Sequence, residues 1–185
     1  MVATIRNRRK YLLPILSCTL VACTHQPYPE AWPRPLAKLE PDGCTALTGT
    51  YRDGPAGLFD MLTKYGGYQR DFDYVRVGMA EKGVLLFEAY KSGKMVGDFR
   101  VSEGDGTLMC RDDGAELPMS GVYGQQEVLV ASKKRVLLTK DVTGGLLLQN
   151  DEAGVAFYGV IPIPGSAVEW FRFAPYLPAG GEQQP

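Results

Sequence analysis

The sequence predicts an all-β domain, an antiparallel meander forming a barrel or sandwich, with one short helix after the first strand. Three observations predict it. From Cys44 onward apolar residues recur mostly with a period of two, which places them on one face of a strand. The alternating runs are short, spaced at roughly 8–12 residues and separated by Gly-, Asp- or Pro-rich breaks, the pattern of hairpins in sequence. One segment alone, Gly54–Gly67, switches to the helical period.

Ahead of that domain the first ten residues carry Arg6, Arg8, Arg9 and Lys10 and no acid. An apolar run follows, Tyr11–Ala22, broken by Pro14, Ser17 and Thr19. A basic start and a short apolar stretch make a secretory signal peptide, residues 1–22. The run is shorter than the ~20 residues that cross a bilayer as a helix, and Pro14 and the basic block disfavour a buried N-terminal helix. The run ends in Leu20-Val21-Ala22-Cys23, which resembles the lipobox of bacterial lipoproteins. The resemblance implies cleavage between Ala22 and Cys23 and lipidation of Cys23 with fatty acyl chains such as palmitate. Ile15-Leu16-Ser17-Cys18 fits the pattern loosely, but choosing Cys18 leaves an apolar stretch of only about seven residues. Buried CH₂ groups contribute ~0.8 kcal/mol each, and stable anchoring takes more than one chain; the three chains of such a lipoprotein hold it on the membrane. Thr24 stands where enteric sorting reads an aspartate as an inner-membrane signal. The resemblance therefore implies the cell envelope, with the outer membrane facing the periplasm favoured over the inner membrane.

Residues 23–41 follow as a lipidated, proline-rich tether. Residues 24–41 hold five prolines in 18 positions, which favours extended polyproline geometry with a reach on the order of 55 Å. Tyr28 and Trp32 in it are either interfacial or docked on the domain.

The single β domain spans residues 42–174. Thr48–Arg52 is its first strand, stopped by Asp53-Gly54-Pro55. Leu58, Met61, Leu62 and Tyr65 then fall at i, i+3, i+4 and i+7, with Pro55 suited to the first turn and Gly66-Gly67 to the stop. A helix of two to three turns is marginal alone and must pack on the sheet or plug a barrel end. Strands are expected next at Tyr74–Met79, Val84–Tyr90, Met95–Val101 and Thr107–Cys110, with turns at Glu81-Lys82-Gly83, Lys91–Lys94, Glu103–Gly106 and Asp112-Asp113-Gly114. Glu127–Ala131, Arg135–Lys140, Leu146–Gln149, Val155–Ile161 and Val168–Phe173 complete the meander, with Lys133-Lys134-Arg135 as a solvated turn. Residues 175–185 are expected to fray as a tail.

Cys44 and Cys110 remain in the exported body, where an oxidising compartment favours a disulfide over two buried thiols. Two thiols make a weak case for metal, since structural zinc needs four ligands; no metal and no cofactor are expected. Cleavage after Ala22 removes four of the 20 basic residues and none of the 21 acids, leaving a formal charge of −5. A mildly acidic chain is a poor fit to nucleic acid.

Catalytic chemistry is sparse. The one histidine, His25, lies in the tether, which removes Ser-His-Asp and Cys-His arrangements from the body. There is no Gly-x-Ser-x-Gly, phosphate loop or dinucleotide fingerprint. Asp71 and Asp73, two apart, and the pair Asp112-Asp113 are the candidate paired carboxylates, and turn or edge roles suit them better than catalysis. Glu103–Asp113 lacks calcium-loop spacing. Aromatics cluster at Tyr65, Tyr68, Phe72 and Tyr74, and again at Trp170-Phe171, which point to opposite strand faces; packing is their expected use. Leu47-Thr48-Gly49-Thr50-Tyr51 resembles the start of lipocalins, with Tyr51 in place of their tryptophan, and the helix after the first strand departs from lipocalin order. The expected function is a non-enzymatic envelope binding or assembly module acting on an envelope protein partner. A lipocalin-like carrier of a small apolar ligand is the first alternative, and a carboxylate-based enzyme on envelope glycans the second.

Overall fold

The computed structural model describes residues 22–39, 43–55, 57–63, 72–125, 128–158 and 160–177. The fold is all-β, two mainly antiparallel sheets facing each other as an open sandwich. The smaller sheet has the order β2-β3-β4-β5, formed by β2 (Gly49–Arg52), β3 (Tyr74–Glu81), β4 (Val84–Lys91) and β5 (Lys94–Ser102). The larger has the order β1-β10-β9-β8-β7-β6, formed by β1 (Ala22–His25), β6 (Met109–Arg111), β7 (Gly114–Gln125), β8 (Val128–Lys140), β9 (Leu146–Tyr158) and β10 (Ile161–Phe173). β1 pairs with β10 in parallel; the other named pairs are antiparallel.

The alternation read in the sequence is what fills the core. Val75, Val77, Leu85, Phe87 and Ala89 point inward from the small sheet and meet Ala115, Leu117, Val136, Leu138, Leu146 and Leu148 from the large one. The sheets join at one corner, where Arg52 N–H donates to Ala174 O and Tyr176 N–H to Thr50 O. Pro175 and Tyr176, expected in the fraying tail, are thus bound to the first strand of the domain; residues 178–185 lie outside the described residues.

Two short helices fill the space between the layers. α2 (Leu58–Leu62) buries two of the expected residues, Leu58 and Leu62, together with Phe59, which lies off the expected face, while Met61 is only partly buried. Phe59 packs edge-to-face on Phe72 and Phe99. Gly97 on β5 makes room for it: a Cβ there would stand 3.3 Å from Phe59 Cζ. Tyr65, Tyr68, Gly66-Gly67 and Asp71 lie outside the described residues. α1 (Gly43–Ala46), unforeseen in the sequence, carries Cys44, which is disulfide-bonded to Cys110 on β6.

The second half of the meander differs from expectation. β8 runs unbroken through Lys133-Lys134-Arg135, so this cluster is not a turn. Its charges are accommodated in mid-strand because β9 sets acids opposite: Lys134 is level with Glu152, and Arg135 with Asp151, which it contacts at 2.5 Å. β9 likewise continues through Asn150–Gly154, where glycine is a close-approach residue rather than a break: a Cβ on Gly154 would lie 2.7 Å from Ala131 O. β7 was not anticipated as a strand. The result is two hairpins, β7–β8 and β9–β10, of 12- and 13-residue strands, whose turn ends lie side by side where Val128 pairs with Tyr158.

Candidate functional site

The residue singled out most sharply by the sequence, Cys23, lies on an edge. Ala22–His25 extends the large sheet as β1, Cys23 is level with Ser166 of β10, and its thiol is free and exposed. Leu20 and Val21 of the lipobox-like motif lie outside the described residues. His25 is in the same edge strand, level with Val168.

From there the proline-rich segment expected to project as a tether is laid along the domain through residue 39. Gln26 N–H donates to Val168 O, Leu36 N–H to Lys140 O, Val142 N–H to Arg34 O and Leu39 N–H to Asp112 O. Tyr28 packs edge-to-face against Trp32 and Trp170, with its hydroxyl donating to Pro33 O, so both tether aromatics are docked. Leu39 is buried in the core and Leu36 packs against it. The reason is visible on the outer face of the large sheet, where Leu147 is completely buried although its face points away from the small sheet. A segment stiffened by prolines covers such a face at low conformational cost.

Between this strap and the sheet is a shallow cleft of about 190 Å³, lined by Pro35, Leu36, Arg111, Leu137, Gln149 and Trp170 among others. Arg111 forms an ion pair with Glu116, whose side chain is nearly buried. Trp170 and Phe171 do point to opposite faces: Phe171 joins the core and Trp170 lines the cleft.

The carboxylates are held in structural contacts. Asp73 accepts from Ser92 N–H at the β4–β5 turn, Glu103 from Cys110 N–H and Asp105 from Thr107. Glu88 pairs with Arg76. Asp112 and Asp113 sit exposed in the β6–β7 turn. Asp141, fully buried at the β8–β9 turn, accepts from Thr143 N–H and Oγ1, Gly145 N–H and Arg172 Nε, all within 2.9 Å. Burial pushes its pKa up, yet the bonds from Thr143, Arg172 and Gly145 bring it below the usual value. Asp53 is the opposite case. Buried beside α2 and accepting a 3.3 Å bond from Phe59 N–H, it is pushed up to about 6 by desolvation, which outweighs its backbone hydrogen bonds.

The remaining aromatics pack. Tyr74 stacks on Tyr90 and on Tyr176, so the ring faces cover one another. Tyr51, in the lipocalin-like stretch, is buried and donates to Leu47 O, while Lys140 lies over its ring and donates to Thr48 O. This lysine, whose pKa burial lowers, gave no sequence signal because its partner is a backbone carbonyl 92 residues away. Among the described residues no group of three or more His, Cys, Asp or Glu could hold a metal ion, and no helix is long and apolar enough to cross a membrane. No family model, curated protein or solved structure matches the chain.

Proposed function

We propose that this chain is a cell-envelope lipoprotein held by lipid on Cys23, whose β domain is a non-enzymatic binding or assembly module. The observation that carries the reading is the conjunction at Cys23: a basic start, a 12-residue apolar run and Leu20-Val21-Ala22 lead directly to an exposed cysteine outside the disulfide. Acylation needs just such an accessible thiol.

Binding is favoured over catalysis because the described acids with defined contacts are engaged in ion pairs, turns and helix ends. The cleft under the strap supports a protein partner better than a carrier role, since about 190 Å³ is below the ~300 Å³ at which small-molecule pockets begin. A partner side chain, apolar against Trp170 and Leu36 or carboxylate toward Arg111, fits that scale.

The test is mass spectrometry on protein extracted from its own membrane after mild in-cell cross-linking. The expected result is a triacylated Cys23 peptide together with a recurrent envelope protein. Cys23→Ala should move the chain out of the membrane fraction or leave the precursor uncleaved. Unchanged processing and membrane association in that variant would remove the lipoprotein reading, and a lipid bound to the body without any partner would replace the module by a carrier.

A further inference from the structure

The β9–β10 hairpin places an apolar, uncharged end next to the anchor residue. Val160, Ile161 and Ile163 at the β9–β10 turn are 94%, 63% and 40% exposed, an uncommon concentration of bare aliphatic surface. Residues 153–168 contain no charged residue; Lys133 of β8 is level with Ala153, and the two rows before it toward the core carry Lys134 with Glu152 and Arg135 with Asp151. Charge thus stops at one level of β9 and β10, and these two strands continue past it as an apolar extension, while the neighbouring β7–β8 connection carries Glu127. From Ala153 to Tyr158 that extension is five residue steps, on the order of 17 Å at the strand rise.

Cys23 enters the sheet on this extension. It is level with Ser166, three residues from Ile163 and five from Ile161, about 10 and 17 Å along the strand. Because β1 runs parallel to β10, the direction leading N-terminally out of Cys23 is the direction leading back along β10 to Ile161. An acyl group on the amine of Cys23 therefore leaves toward the aliphatic turn, not away from it.

The edge itself is suited to an apolar phase. Unpaired backbone N–H groups are costly there. Beyond Gly165, where β1 begins, β10 continues as Ile161-Pro162-Ile163-Pro164. Pro162 and Pro164 are two apart, so their nitrogens point to one side, and in a strand paired with β9 that is the outer edge. The exposed edge next to the anchor is thereby stripped of donors at the two positions where they would face outward.

We infer that the β9–β10 turn is a second membrane contact: Val160, Ile161 and Ile163 enter the headgroup–acyl boundary of the leaflet that holds the lipid on Cys23, seating the large sheet end-on. This rests on the lipoprotein reading above. One lipidated residue alone leaves a domain free to swing, whereas two contacts set its orientation. The strapped outer cleft, on the half of the sheet remote from the turn, then stays in the aqueous compartment.

The test uses the full, lipidated chain with a single introduced thiol. With Cys23 acylated and Cys44 bonded to Cys110, a thiol at Ile161→Cys is the reactive one; Val160→Cys provides a second position, and Val142→Cys, 61% exposed at the opposite end of β9, the control. Each is labelled with an environment-sensitive fluorophore and reconstituted in phosphatidylethanolamine–phosphatidylglycerol vesicles. Labels at 160 and 161 should be quenched several-fold more by nitroxide on the acyl chains than the label at 142, and correspondingly less by aqueous iodide. Equal iodide quenching at all three positions, with the protein still on the vesicles, overturns the second contact and leaves the anchor intact. A chain that carries no lipid and does not float with vesicles overturns both.

Discussion

At the scale of single residues, two buried aspartates show how local partners reverse the effect of the same burial. Asp141 is surrounded by four donors, one of them the Arg172 guanidinium, so its charged form is held well. Asp141→Asn should cost about 2–4 kcal/mol, because it leaves Arg172 without its counter-charge in a partly buried setting; a fall in the denaturant midpoint without a change in slope would register it. Asp53 has backbone hydrogen bonds that do not offset its burial, and its folded pKa of about 6 is above the ordinary value of 3.8. The folded state therefore binds more protons than the unfolded one between these values. Stability is full below about pH 4, declines as pH rises to about 6, and is flat above, a loss on the order of 1–3 kcal/mol. Asp53→Asn should flatten that slope and raise the melting temperature at pH 7.5 by several degrees; an unchanged slope between pH 4.5 and 7.5 would show that Asp53 ionises freely. Neither aspartate stands out in the sequence, where Asp53-Gly54-Pro55 reads only as a turn and Asp141 only as a polar residue between strands. Burial and donor count are set by residues far along the chain, and local pattern cannot report them.

At the scale of elements, the legible and the illegible parts divide by what the signal measures. β3, β4 and β5 were read to within a residue or two because turns such as Lys91–Lys94 punctuate clean alternation. β8 and β9 read as pieces because polar clusters in mid-strand resemble turns. Val155–Ile161 reads as one strand although it runs from β9 into β10, since the apolar residues continue past the turn and Pro162 and Pro164 interrupt the pattern instead. The distinction lies in the opposite strand: Lys133-Lys134-Arg135 stays extended since Glu152 and Asp151 are level with Lys134 and Arg135, relations 18 and 16 residues away in sequence. The exposed pair Arg135–Asp151 contributes less than about 1 kcal/mol to stability, so its charges matter more for register than for strength. Gly154 carries more. Ala131 O and Ser132 Cβ lie within 3 Å of where its Cβ would be. Gly154→Val should therefore force β8 and β9 apart, costing about 1–3 kcal/mol and raising amide exchange over residues 128–134 and 152–158. Protection there equal to that of the unmodified chain would mean that the strands adjust without separating.

At the scale of the whole molecule, the strap and the disulfide bind the chain's ends to its middle. The proline-rich segment reads as a free spacer because composition reports stiffness, not whether an apolar surface awaits cover; Trp170, against which its Tyr28 packs, is more than a hundred residues away. The cysteine pair was legible from compartment logic alone, while the helix that presents Cys44 was too short to leave a periodic trace. The Cys44–Cys110 bond ties α1 to β6, the strand that pairs with only three residues of β7 at the far edge of the large sheet. A three-residue edge strand has little ladder of its own, so the bond is what keeps that edge in place. Closing a loop of 66 residues reduces the freedom of the unfolded chain by about 4 kcal/mol in the chain-entropy account. Cys110→Ser should lower the melting temperature markedly under oxidising conditions, and the reduced wild type should melt with it. Loss of amide protection in the variant should begin at residues 109–116 and at the neighbouring contact of Leu39 with Asp112, freeing the strap from its C-terminal end while β1 remains paired with β10. A uniform drop in protection across both sheets would instead assign the bond to global stability alone, with no separate role in holding the strap.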